Sequence, residues 1–294
     1  MRHRIATIGM CSLAACGVAC GVARGASWDL TAQFSGTVNP NGAWTYGTYE
    51  GASYVAYTTP NGSASTPGWN GANASAIWKN LGPPQFGVQT GQVALHPGNG
   101  QQPVAARWTA PRGGRAELAG RFFAGDLAEL DYAVWHNAVE RFHVRSGGDA
   151  AFDLARVVET GDRIDFLVYG GYAFGSTPLD AFITLFISGD ANRDNRVNLG
   201  DFNVLAANFG QTPREWATGD FNGDETVNLL DFNLLAANFG QTAAGPQVTP
   251  DDWARLGAAV PEPSAVCGWI SVALLARRAR RDARPPRAAK AARQ

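Results

Sequence analysis

Short apolar runs broken by turn residues fill the first two thirds of this chain. The stretches 28–34, 52–58, 93–95, 104–108, 116–123, 131–136, 141–144, 152–158, 163–168 and 181–187 are rich in β-branched and aromatic residues, and Gly, Pro or Asn separates most of them. That spacing predicts short strands joined by tight connections. Helix-period stretches are scarce, and the segment is long enough to bury a core of its own. The expected fold is mainly β, with a jelly-roll-like β-sandwich over residues 26–187.

Further on, the pattern changes to a helical one. Phe202, Leu205 and Phe209 stand at i, i+3 and i+7, as do Phe232, Leu235 and Phe239, with Gly210 and Gly240 at the stop position. Each short helix belongs to one copy of a 24-residue unit, 189–212 and 219–242, and the copies match at 18 of 24 positions. Each copy opens with oxygen-bearing side chains at positions 1, 3, 5, 9 and 12 of a loop. They are Asp190, Asn192, Asp194, Asn198 and Asp201 in the first, and Asp220, Asn222, Asp224, Asn228 and Asp231 in the second. Position 7, Arg196 or Thr226, would add a backbone carbonyl, which leaves its side chain free to vary. Calcium is a hard cation that takes 6–8 oxygens, and this spacing wraps a 12-residue loop around it. Two such loops in register predict two Ca2+ sites.

These loops depart from the common helix–loop–helix calcium hand. Position 12 is Asp rather than Glu, and the residues before the first loop, 182–187, read as a strand rather than an entering helix. Each unit is therefore a loop plus its exiting helix. Such a unit cannot bury its own apolar stripe, so the two stripes should pack on each other in pseudo-twofold fashion.

The duplicated loop–helix, with Gly-Asp-x-Asn-x-Asp at its start and Val-Asn-x-x-Asp before each helix, resembles the type I dockerin family. The resemblance covers residues 189–242 and implies calcium-dependent folding and docking to a cohesin-like partner. Position 6, usually Gly because the backbone takes φ > 0 there, is Asn195 and Glu225. Where dockerins often carry a hydroxyl pair, at positions 10 and 11, this chain has Leu199-Gly200 and Leu229-Leu230. A calcium-clamped spacer is the other reading of this unit.

Both ends carry export signals. Residues 1–25 have a basic start and an apolar, small-residue stretch, the pattern of a secretory signal peptide with cleavage expected after Gly25. Leu13-Ala14-Ala15-Cys16 also fits a lipoprotein box, with Cys16 lipidated. After a linker, 243–259, residues 260–294 run from Pro261-Glu262-Pro263 through an apolar stretch to Arg277, Arg278, Arg280 and Arg281. That order resembles the PEP-CTERM sorting signal. It implies a Gram-negative bacterium making extracellular polysaccharide, and removal of the tail by an exosortase-type processing enzyme. The apolar run, 265–276, is shorter than the ~20 residues of a full transmembrane helix. The expected location is the cell surface or beyond, reached through the inner membrane, with transient anchoring by the tail.

Charge and cysteine narrow the functions. The whole chain is −1, but residues 1–25 hold three Arg and no acid, and residues 261–294 hold eight basic and two acidic residues. The body between them has 13 basic and 23 acidic residues, a net of −10, which argues against nucleic-acid binding. Cys11, Cys16, Cys20 and Cys267 all fall in the terminal segments, so the body has neither a disulfide nor a thiol nucleophile.

The sandwich offers two functional readings. In the first, rings from the loop-rich 44–78 segment, namely Trp44, Tyr46, Tyr49, Tyr54, Tyr57, Trp69 and Trp78, pack on sugar faces, or else fill the core. Fragments such as Leu95-His96-Pro97-Gly98 and Arg107-Trp108-Thr109-Ala110-Pro111 loosely resemble carbohydrate-binding sandwich domains. In the second, Asp126, Glu129 and Asp131 supply the carboxylates of a polysaccharide-degrading or -modifying enzyme, glycoside hydrolase-like, although their setting reads as a solvated loop. His96, His136 and His143 lack metal-ligand spacing and read as structural. The favoured expectation is a non-catalytic protein that attaches or scaffolds within extracellular polysaccharide. The enzyme is the alternative, and no catalytic residue is assigned.

Overall fold

A computed structural model describes residues 25–97, 102–126, 130–145, 148–170, 175–242 and 245–246. The expected signal peptide up to residue 24, the four cysteines, Glu129, most of the expected linker and the expected sorting tail lie outside these residues.

The strands are β1 (Ala26–Asp29), β2 (Trp44–Glu50), β3 (Ser53–Ala56), β4 (Pro60–Asn61), β5 (Gly68–Asn70), β6 (Ala76–Lys79) and β7 (Val93–His96). They continue with β8 (Val104–Thr109), β9 (Gly114–Phe122), β10 (Leu130–His136), β11 (Val139–Val144), β12 (Ala150–Val158), β13 (Arg163–Gly170) and β14 (Thr177–Ile187). Two antiparallel sheets result. One has the order β12-β9-β14-β7-β6-β5-β4, with β1 also paired to β14, and the other has β11-β10-β13-β8-β2-β3. Strands β7 to β14 alone give β12-β9-β14-β7 over β11-β10-β13-β8. That is the jelly-roll weave, in which successive strands cross between sheets. Strands β2 to β6 extend both sheets on the β7/β8 side.

Alternation within strands builds the core. Along β14, Leu179, Ala181, Ile183, Leu185 and Ile187 are all buried, whereas Asp180 and Phe182 are exposed. Trp44, Tyr46, Trp108, Phe122, Tyr132 and Phe166 fill the space between the sheets, with Phe122 stacked on Tyr132 at 5.1 Å. The outer face of the second sheet carries a smaller cluster of Tyr49, Ala105, Ala133 and Leu167, flanked by Tyr54, Trp135 and Tyr169. Its centre is an ion pair, with Arg107 Nε and Nη2 on the Asp165 carboxylate at 2.6 and 3.0 Å and the Tyr49 hydroxyl donating to it at 2.7 Å. Asp165 is fully buried, so this pairing offsets the cost of removing its charge from water.

Two expectations need correction. The 28–34 stretch is not one strand. Asp29 ends β1 and caps a single helical turn, α1 (Leu30–Gln33), by accepting from the Ala32 N–H at 3.0 Å. The 44–78 segment is not loop-rich either, since β2, β3, β4, β5 and most of β6 lie in it.

Beyond β14 the chain forms two loops, each followed by a ten-residue helix, α2 (Leu199–Asn208) and α3 (Leu229–Asn238). Phe202 and Phe232 meet edge to face at 6.2 Å between the helices. The repeats exchange backbone hydrogen bonds. Gly240 and Gly210 donate to the carbonyls of Val197 and Val227 at 2.7 and 2.8 Å, and Val197 and Val227 donate to Gln241 and Gln211 at 3.1 and 3.2 Å. Gly189 and Gly219 let each loop lie against the opposite helix, where a Cβ would come within 2.8 Å of Leu235 and 2.9 Å of Leu205. The expected pseudo-twofold packing is present, with one change. Phe239 is buried, but its counterpart Phe209 is 52% exposed.

Candidate metal centres

Each loop is folded by its own aspartates. The Asp190 carboxylate accepts from the N–H groups of Asp194 and Asn195 at 3.1 and 2.8 Å, and Asp220 accepts from those of Gly223 and Glu225 at 2.8 and 2.9 Å. Asp201 reaches back to the N–H groups of Ala191 and Asn198, both at 2.9 Å. Asp231 does the same to Phe221 and Asn228, at 2.8 and 2.9 Å. Asn192 donates to Asp194 at 3.0 Å, and Asn222 to Asp224 at 2.9 Å. The sequence thus places position 12 in the first turn of its helix and turns it toward the loop start.

Position 9 has a second task. Asn198 and Asn228 are the N-caps of α2 and α3, and their side-chain oxygens accept from the Gly200 and Leu230 N–H groups, both at 2.7 Å. A ligand at this position commonly reaches calcium through water, which is compatible with a capping oxygen. At position 7, Arg196 pairs with Thr242 in an isolated bridge, and the Thr226 carbonyl accepts from the Asn228 amide at 3.3 Å. Position 6 adopts the left-handed backbone in both loops, at φ 65° for Asn195 and 67° for Glu225.

The residues fit a divalent cation. Asp220, Asp224 and Asp231 each bring a carboxylate oxygen within 4.8 Å of the others. Calcium–oxygen distances of 2.3–2.6 Å require ligand atoms gathered about that closely. Among the described residues, no other trio of His, Cys, Asp or Glu is gathered so tightly. Asp190, Asp201 and Asp231 are fully buried and Asp220 nearly so, and none has a Lys, Arg or His in salt-bridge contact among the described residues. Buried carboxylates without a cation are costly. Burial pushes the Asp190 carboxyl up to about 7, against the Asn195 N–H that favours its ionised form, and the charges of Asp201 and Asp194 add to the rise. A bound cation would relieve that crowding.

Both loops also touch the sandwich through position 4. Arg193 pairs with Glu117 of β9 at 2.9 Å and lies 5.7 Å from the Phe186 ring centre, while Gly223 lies close against Val157 of β12. Trp216, between the repeats, donates its indole N–H to the Asp190 carbonyl at 2.7 Å. Sequence reasoning expected Arg193 to point into water and assigned no role to Trp216, whereas Arg193 turns to Glu117. An arginine inside an acidic loop was the available signal for the first.

The sandwich candidates disperse. Of the seven rings singled out, Trp44, Tyr46, Tyr49, Tyr57 and Trp69 are buried, so they fill cores rather than face ligand. Trp78 borders a groove on the first sheet with Asp126 and His96. Asp126 accepts from the Ser176 N–H at 2.9 Å. Asp131 lies on β10 of the other sheet, 3.6 Å from His143. His136 bonds Asp162 at 2.9 Å, and His143 bonds the Tyr169 hydroxyl at 3.0 Å. Both tie neighbouring segments together. Among the described residues no helix is long and apolar enough to cross a membrane.

Several solved structures resemble this chain. A family 35 carbohydrate binding module from Clostridium thermocellum is 14% identical over 31% of this chain and 76% of its own, with a TM-score of 0.24. A mutant of a carbohydrate binding module family 29 is 14% identical over 48% of this chain and 91% of its own, also at 0.24. Bushbaby GITRL is 11% identical over 27% and 68%, at 0.23. No curated protein matches the sequence. Residues 188–240, which span both loops and both helices, match the family model of the dockerin type I domain.

Proposed function

We propose that this chain is an exported, non-catalytic attachment protein. Its calcium-folded dockerin unit docks on a cohesin-like partner, and its β-sandwich holds polysaccharide outside the cell. The observation that carries this reading is the second loop, where Asp220, Asp224 and Asp231 converge without a cationic side chain, inside a segment that matches the dockerin type I domain. Such domains bind calcium and cohesins. Two ions would be held, one by Asp190, Asn192, Asp194, the Arg196 carbonyl and Asp201, and one by Asp220, Asn222, Asp224, the Thr226 carbonyl and Asp231. Asn198 and Asn228 would act through water. The docking surface would be apolar, because Leu229 and Leu230 are 61% and 59% exposed at the start of α3. The non-catalytic reading is preferred because Asp126 and Asp131 are each engaged within the fold, by the Ser176 N–H and by His143. Export and sorting by the terminal segments complete the proposal.

Calorimetric titration of the full chain with a type I cohesin module tests the docking step. Binding in calcium that vanishes in chelator is the expected result. Heat of binding that is absent in both buffers would remove the cohesin partner.

A further inference from the structure

We propose that the groove over β5, β6 and β7 is the binding site for a neutral glycan chain. This rests on the reading that the sandwich holds polysaccharide, and it names where and of what charge. The groove encloses about 590 Å³, within the range of ligand sites. Its floor follows from register. Ile77 and Leu95 point into the core, so Trp78 and His96 point outward. Trp78 stands between Gly68 on β5 and Ala94 on β7. A Cβ on Gly68 would lie 2.6 Å from that of Trp78, and neither neighbour has a side chain large enough to cover the indole.

The lip of the groove is strained. Gln85, Phe86, Gly87 and Val88 form a tight turn closed by hydrogen bonds in both directions, at 3.2 and 2.8 Å. Phe86 and Gly87 have φ of 50° and 72°. This turn favours Asn or Gly at its first central position, and a bulky ring there is a backbone outlier. The Phe86 ring is also 64% exposed, so core burial does not offset the cost. It stands 6.5 Å from Trp78, edge to face. A strained, exposed aromatic beside a half-buried indole that borders a groove is an arrangement that a ligand explains.

The polar lining sets the ligand class. Asn61, Asn70 and Gln85 supply amides, and the Asn70 amide makes no hydrogen bond among the described residues. Rings for the C–H faces of a sugar and amides for its hydroxyls suit a pyranose chain. The described lining contains no Lys or Arg, and Asp126 would repel an anion, so the glycan is neutral. The outer face of the second sheet is the rival platform, but its rings are engaged. Arg107 lies 3.6 Å from the centre of the Tyr54 ring, and Tyr49 packs on both Tyr54 and Trp135.

Affinity electrophoresis of the full chain in calcium tests the site. The gels contain hydroxyethyl cellulose, mixed-linkage β-glucan, galactomannan or dextran, with alginate and polygalacturonate as anionic polymers. At least one neutral polymer should retard the wild type, and neither anionic polymer should. Trp78→Ala should weaken that binding about tenfold or more. Phe86→Gly should weaken it while raising the thermal midpoint, a combination that a purely structural Phe86 would not give. Unchanged retardation of both variants, or loss in Trp135→Ala alone, would overturn the groove while leaving glycan attachment intact. Retardation by the anionic polymers only would overturn the neutral class. A wild type that no polymer retards would sink the attachment reading itself.

Discussion

The two loop–helix repeats share 18 of 24 residues, yet they do not have the same surroundings. The second buries its Phe239, while the first leaves Phe209 half in water. Three aspartates of the second loop close to within 4.8 Å, and their counterparts in the first do not. Position 4 of the first loop reaches out to Glu117 as an arginine, whereas position 4 of the second is a glycine against Val157. A duplicated sequence therefore specifies the loop and the helix. Identical residues such as Phe209 and Phe239 take different surroundings from their place in the fold, and at position 4 a differing residue sets what each copy touches.

The largest test asks whether the copies are separable at all. Because hydrogen bonds cross between them at Val197 and Val227, calcium removal should melt α2 and α3 together and leave the sandwich folded. Ten-residue helices do not persist alone. Circular dichroism with chelator, read beside near-ultraviolet signals from the tryptophan-rich core, checks this. Full helicity in chelator would break the picture of calcium-coupled folding.

Next in size is the phenylalanine pair. Phe239→Ala should cost about 3 kcal/mol, as core phenylalanines do, and Phe209→Ala within about 0.5 kcal/mol. Denaturation in saturating calcium measures both. Equal losses would mean that the exposed ring is covered in solution.

The charge difference comes third. Positions 1–12 sum to −1 in the first loop, because of Arg193 and Arg196, and to −4 in the second. The second site should bind calcium about tenfold more tightly at low salt, with a smaller gap at high salt. Calorimetry on Asp190→Ala and Asp220→Ala separates the sites. If the variant lacking Asp220 retains the tighter one, backbone strain at Glu225 has outweighed charge.

That strain is the smallest effect. Glu225→Gly should stabilise the calcium-loaded unit by about 1 kcal/mol through its φ of 67°, less whatever the lost carboxylate contributed to ion attraction. Asn195→Gly should gain less, because Asn tolerates this conformation. A gain at Asn195 equal to that at Glu225 would argue against residue-specific strain.

The calcium unit was legible in the sequence because its chemistry is local. The oxygen spacing, the helix starts, the stops at Gly210 and Gly240 and the left-handed position 6 all fall within one 24-residue unit. The jelly roll was legible from β7 onward as β-branched and aromatic runs between turn residues, with buried and more exposed positions alternating most clearly along β9 and β14. Strand β2 was not. Trp44 and Tyr46 enter the main core while Tyr49 joins the outer cluster, so apolar residues face both ways and no alternation shows. The short strands β4 to β6 are interrupted by Gly, Ser and Asn, which read as loop. The groove depends on pairing between β5, β6 and β7, a contact that no single stretch encodes.

The reciprocal bonds between the repeats also set an order of events. Val197 in the first loop takes its partners, Gly240 and Gln241, from the far side of the second helix. A chain that becomes available from its N-terminus can complete the jelly roll while these partners are still absent. The first loop can fold on its own aspartates, but its two bonds to Gly240 and Gln241 wait until residue 241 has arrived.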